Sequence, residues 1–214
     1  MATLFATTAE LHDRLGGVPQ ERIRLDPPPG TATEADLLRV LEDENRPCEL
    51  IDGVLVEKPM GYFESIVAVE LILILGRFVA SKNLGKILGA DGALRILPEQ
   101  IRAADVAFIP RERFSHEGLP RQPIPHLVPD LAVEVLSRSN TPGEMKRKLR
   151  DYFAAGVRLV WLIDAETRTA EAYSSPDHPE WVPEDGTLDG RDVLPGFTLS
   201  LRELFANAER GMEA

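Results

Sequence analysis

The chain reads as a helix, three or four strands, a second long helix and a further strand. That order predicts an α/β (α+β) fold with a mixed central sheet flanked by helices. Three stretches carry this expectation. Leu131-Ala-Val-Glu-Val-Leu136 is apolar on both faces apart from Glu134, as a strand covered on both sides should be. Residues 63–82 are apolar nearly all round, which predicts a long buried helix. Thr141-Pro142 joins an N-cap residue to a first-turn proline, opening a helix that ends at Gly156, and a second apolar strand follows at 158–164.

The remaining elements fall in order around these. Residues 9–15 suggest a short helix, followed by a Pro-Pro-Pro-Gly linker at 27–30. Thr33-Glu-Ala-Asp36 has the form of a capping box and opens a helix over 35–45. Residues 49–58 read as a hairpin whose Asp52-Gly53 is a type I′ turn signal. In the long helix Glu70 shares a side with Ile66, Leu73, Ile74 and Arg77, whereas Glu64 lies nearer Leu71 and Leu75. Strands are expected at 86–88, 93–97 and 102–110, and together they read as an antiparallel meander. A loop with Pro120, Pro123, Pro125 and Pro129 leads to the central strand. Later, 169–174 should pair with 158–164, Asp-Gly turns follow at 185–186 and 189–190, and a helix begins near Ser200. No internal repeat is evident.

Composition narrows the functional classes. A chain of 214 residues with 43% hydrophobic content can bury one domain's core. The longest apolar candidate for a membrane span, 66–79, is broken by Glu70, Gly76 and Arg77, so a span is not expected. The first residues lack the basic and apolar regions of a secretory signal. A single cysteine, Cys48, fits a reducing cytoplasm and reads as a buried structural thiol. The formal net charge of -11 should repel nucleic acid unless positive charge is gathered locally. It is gathered between 138 and 150, where Arg138, Lys146, Arg147, Lys148 and Arg150 face only Glu144. The same run could equally be a solvated helix face.

The chemical clue is a pair of acids, Asp105 and Glu134, both expected mid-strand with small neighbours (Ala103 and Ala107 beside one, Ala132 beside the other). A carboxylate in a core strand is costly unless paired. Two of them on adjacent strands repel, and a hard divalent cation such as Mg²⁺ or Mn²⁺ would remove the conflict. An arginine partner or an edge position would serve each acid alone as well. Asp130 is a poor co-ligand for Glu134, because four residues of extended strand separate them by roughly 13 Å. On the following helix Lys146 and Lys148 flank the apolar stripe at about 80° on either side, so either ammonium could reach the sheet. Lys148 could instead form an ordinary i,i+4 pair with Glu144.

Glu49-Leu-Ile-Asp-Gly53, Asp105-Val-Ala-Phe108, Pro129-Asp-Leu-Ala-Val-Glu-Val-Leu-Ser137, Lys148-x-x-x-Tyr152, Ala155-Gly-Val157 and Val160-Trp-Leu-Ile-Asp164 occur in one order. With Asp192-Val-Leu-Pro-Gly-Phe197 and Glu203-Leu-Phe205, this order resembles the Uma-two-type restriction-endonuclease family of the PD-(D/E)XK superfamily. The resemblance implies a restriction-endonuclease-like core at about 47–205 with an added N-terminal hairpin. Residues 1–46 would be a helical extension and linker, and 206–214 a tail. It implies a Mg²⁺-dependent endodeoxyribonuclease (Mn²⁺ also suitable) in which Asp105, Glu134 and the Val135 carbonyl hold the metal. The superfamily's lysine two residues after the glutamate is replaced by Leu136, and the family pattern moves that lysine to Lys148 rather than Lys146. Arg138, Lys146 and Arg150 would contact DNA phosphates. Ala104 stands where the family has proline, and Glu64 where it often has histidine. A homodimer would suit double-strand cutting. The alternatives are a catalytically silent nucleic-acid-binding or regulatory module on the same scaffold, and a metal-dependent hydrolase with another substrate.

Overall fold

The computed structural model describes residues 5, 7–44, 46–59, 61–115 and 118–210. Residues 1–4 and 6 of the N-terminal segment, Asn45 at the expected end of the second helix, and 211–214 of the expected tail lie outside the described residues.

The N-terminal part contains α1 (Thr8–Arg14) and α2 (Glu34–Asp43). The expected capping box forms at α2: Thr33 and Asp36 each satisfy the other's backbone N–H. The hairpin comprises β1 (Cys48–Ile51) and β2 (Val54–Glu57). Its turn residues Asp52 and Gly53 have φ of 50° and 74°, the positive pair that a type I′ turn requires. Then come α3 (Tyr62–Ser81), β3 (Gly85–Gly89), β4 (Leu94–Leu97), β5 (Gln100–Arg102), β6 (Val106–Pro110) and β7 (Leu131–Leu136). After β7 the chain forms α4 (Pro142–Ala155), β8 (Leu159–Asp164), β9 (Thr169–Tyr173), β10 (Pro179–Val182), β11 (Thr187–Asp189), β12 (Thr198–Ser200) and α5 (Leu201–Glu209).

Six strands form the mixed sheet in the order β10-β9-β8-β7-β6-β3, in which β7 and β8 run parallel across the α4 crossover. β7 is buried along nearly its whole length, as its two-sided apolarity requires. The pleat sorts its side chains. Leu131, Val133 and Val135 join Val67, Leu71, Leu75 and Val79 of α3 in one core. Ala132 joins Met145, Leu149 and Tyr152 of α4 in the other. Glu134 shares the α4 face by the same alternation.

Two expectations need correction. The segment from 86 to 110 is not one meander, because β3 and β6 belong to the six-stranded sheet while β4 and β5 join the hairpin in a second sheet, β2-β1-β5-β4. The expected strand 102–110 is therefore two strands, and Ala103-Ala104-Asp105 is the passage between sheets. Both strands are buried, and apart from Asp105 apolar residues run on from Ala103 and Ala104 into β6, so no polar turn marks the break between them. Helix α3 is also not buried all round. Its Val67, Leu71, Leu75 and Val79 side meets the sheet, whereas Val69 and Leu73 are 51% and 45% exposed.

Candidate active site

The antiparallel pairing of β6 with β7 ends at Val106 opposite Val133. Beyond that point the chain turns away toward the second sheet, which removes the strand partner from the Val135 N–H. Asp105, one residue before β6 and not in mid-strand as expected, takes over, and its Oδ2 accepts the Val135 amide at 2.8 Å. The N–H and C=O of one strand residue point to the same side, so the Val135 carbonyl faces the same gap. The other Asp105 oxygen lies 2.9 Å from Lys58 Nζ. Lys58 follows β2 directly and also donates to the Ala103 carbonyl, so a residue of the hairpin closes this side of the site.

Glu134 is buried, and both its oxygens are engaged by α4. Lys148 Nζ lies 2.9 Å from Oε2, and the Tyr152 hydroxyl donates to Oε1 at 2.6 Å. Lys148 and Tyr152 are one helical turn apart, so they present to the sheet together. Lys148 also lies 3.2 Å from Glu49 Oε1 on β1. From there alternating charges run outward. Arg102 pairs with Glu49 at 2.8 Å and with Asp151, Arg147 pairs with Asp151 at 3.1 Å and Asp52 at 3.0 Å, and Arg14 of α1 reaches Asp52 at 2.9 Å. Every buried charge in that chain has an opposite neighbour, which is the condition for tolerating them in a core.

The electrostatics follow from burial and charge order. Burial raises the Glu134 pKa, and the Asp105 charge adds to that against the opposing Lys148. Burial alone would lower the pKa of Lys148, but Glu134 and Glu49 outweigh it and hold the ammonium charged. Glu49 is held low because Lys148 and Arg102 overcome its burial. Tyr152 is pushed well above the ordinary phenol range by burial and by the adjoining acids, so it remains a donor to Glu134.

Asp105, Glu134, Val135, Lys148 and Lys58 line one cavity of about 280 Å³. A larger groove of about 850 Å³ adjoins it and shares Glu64, Ser137 and Asn140. Arg138 and Lys146 line the groove rather than the cavity, and Arg138 is paired with Glu166 at 3.1 Å. Arg150 is exposed on α4 one turn beyond Lys146. Lys146 faces solvent, so α4 presents only Lys148 of the two flanking lysines to the sheet. The i,i+4 partner suggested for Lys148 is engaged elsewhere, since Glu144 forms a two-point pair with Arg22. Asp130 is held by Arg113 and Arg158, away from Glu134. Cys48 is buried and its thiol is pushed up to about 12 by that burial, in keeping with a structural role.

Sequence reasoning did not single out Lys58, Glu49, Arg102 or Tyr152 as members of the site. Glu49 carries the same signal as Glu134, an acid in an apolar strand. Tyr152 follows Lys148 by one turn. Lys58 and Arg102 carry none, since their partners lie about fifty residues away in the chain.

As a donor set, Asp105, Glu134 and the Val135 carbonyl offer only oxygens, which suit a hard cation such as Mg²⁺ or Mn²⁺. The mutual repulsion of the two carboxylates is the charge that such an ion would offset. Among the described residues no group of three or more His, Cys, Asp or Glu side chains converges as a metal cluster, so the remaining ligands would be backbone and water oxygens. No described helix is long and apolar enough to cross a membrane.

Comparison with known proteins bears on these findings. A solved structure titled a putative nuclease belonging to DUF820 from Anabaena variabilis superposes with a TM-score of 0.70 at 20% identity. The match covers 81% of this chain and 97% of the other, so the two share a fold. No curated protein matches the sequence. The profile of the Uma2 family, described as "Putative restriction endonuclease", matches residues 34–202, which is most of the chain and includes Glu49, Lys58, Asp105, Glu134 and Lys148. The chain belongs to the Uma2 family.

Proposed function

We propose that the protein is a metal-dependent endonuclease that hydrolyses DNA phosphodiester bonds, with Asp105, Glu134 and Lys148 as its catalytic residues. The observation that carries this reading is the convergence of these three side chains, from the residue before β6, from β7 and from α4, on one cavity in a chain of this family. Asp105, Glu134 and the Val135 carbonyl would hold Mg²⁺, or Mn²⁺ in its place. Bound there, the cation would lower the pKa of a coordinated water and offset charge at the scissile phosphate. Lys148 keeps its proton between Glu134 and Glu49, so it contributes a fixed positive charge toward a phosphate oxygen rather than acting as a base. Tyr152 and Glu49 fix the orientation of Glu134 and Lys148 from behind. Arg138, Lys146 and Arg150 would meet the DNA backbone without reading bases. A homodimer would bring two such centres to the two strands.

One observation favours a second reading, a silent module that binds nucleic acid without cutting it. Both proposed ligand carboxylates already have lysine partners, Lys58 on Asp105 and Lys148 on Glu134. Plasmid nicking in Mg²⁺ or Mn²⁺ separates the two. The endonuclease reading expects metal-dependent cleavage by the wild type and none by Asp105→Ala or Lys148→Ala. Duplex binding without cleavage by the wild type supports the silent module. Equal cleavage by the variants refutes the site.

A further inference from the structure

The role of Lys58 follows from what it touches. Its side chain is only 7% exposed, and its ammonium lies 2.9 Å from Asp105 Oδ1. It also donates to the Ala103 carbonyl, and it lines the cavity with Glu134, Val135 and Lys148. Asp105 is a carboxylate with two oxygens, and Oδ2 is committed to the Val135 amide. The oxygen left to face the cavity is the one that Lys58 holds. A divalent cation seeking Asp105 must therefore share or displace that ammonium, because two positive centres on one oxygen repel strongly at such range.

We propose that Lys58 is a built-in counter-cation that competes with the metal for Asp105 and turns to the phosphate once displaced. This rests on the metal-dependent reading of the same site. Without a cation, the lysine offsets the repulsion between Asp105 and Glu134. With one bound, a long unbranched side chain anchored just beyond β2 keeps its positive end in the cavity, whose wall also carries Glu64 and Asp91, within reach of a substrate phosphate entering there. The arrangement weakens metal binding in the free protein and favours loading when substrate arrives, since the phosphate then gives Lys58 a new partner.

The test is Mn²⁺ binding in the absence of DNA, followed by the paramagnetic signal of free Mn²⁺. Lys58→Met is expected to tighten binding by about tenfold, the size of one partly screened charge interaction. Lys58→Gln keeps a donor for the Ala103 carbonyl and should show the same direction if methionine there prevents folding. Lys86→Met, at an exposed position on β3, controls for the loss of one positive charge and should leave the affinity within about twofold. Lys58 variants that bind Mn²⁺ no more tightly than wild type, or a Lys86 variant that tightens equally, overturn the proposal while leaving the metal site standing. If Asp105→Asn binds Mn²⁺ as well as wild type, or wild type binds none, the metal reading fails and this inference fails with it.

Discussion

Glu49 decides how Lys148 is held. The ammonium lies between Glu134 at 2.9 Å and Glu49 at 3.2 Å, while Arg102 pairs with the other Glu49 oxygen. Removing the Glu49 charge leaves two buried cations sharing one acid fewer. Glu49→Gln is thus expected to lower stability by about 3 kcal/mol, read from chemical denaturation, where a change under about 0.5 kcal/mol would contradict the linked-charge account. At this scale the sequence is informative where chemistry conflicts with burial. An acid such as Glu134 in an otherwise apolar strand stands out. Spacing left Lys146 and Lys148 equivalent, and only the family resemblance favoured Lys148. Lys58 could not be found in this way. It reads as an ordinary polar residue at a hairpin end, and its partner is 47 residues away, across a sheet boundary.

Helix α4 is fixed in place by the N-terminal segment as well as by the sheet. Arg22 donates twice to Glu144, at 2.9 and 2.6 Å, and the Thr141 cap donates its hydroxyl to the Gly16 carbonyl at 2.8 Å. Gly143 permits that approach, since a Cβ there would lie 2.4 Å from the Gly16 oxygen. Burial alone would raise the Glu144 pKa, but the Arg22 hydrogen bonds and charge outweigh it and hold the carboxyl below its usual range. The pair therefore stabilises the fold above the ordinary carboxylate range, and that contribution is lost as falling pH protonates Glu144. Glu144→Ala should cost about 3–5 kcal/mol near neutral pH and progressively less in acid, measured by thermal or urea unfolding. A pH-independent loss would contradict it. The capping box at Thr33 and the N-cap at Thr141 were legible because they are local codes. The division between β5 and β6 was not, because sheet membership depends on pairing partners distant in sequence, which apolarity does not encode.

Over the whole molecule, a net charge of -11 coexists with two exposed cations on α4, Lys146 and Arg150, of which Lys146 lines the groove beside the cavity together with Arg138. Acidic bulk with so few exposed cations beside the site keeps non-specific attraction to DNA low and makes any binding dependent on salt. The α/β character, the mixed sheet and the pairing of 169–174 with 158–164 were legible from periodicity and caps. The second sheet, and with it the hairpin's delivery of Lys58 and Glu49 to the site, appeared only when the chain was folded. All of this converges on one claim, that Glu134 and Asp105 hold a cation at which DNA is cut. The most direct measurement is single-turnover cleavage of a duplex in Mn²⁺ by wild type and Glu134→Gln, an isosteric change that removes the charge. The account predicts a loss of at least about a hundredfold, more than losing an outer-shell partner costs. Cleavage by Glu134→Gln at the wild-type rate would contradict it.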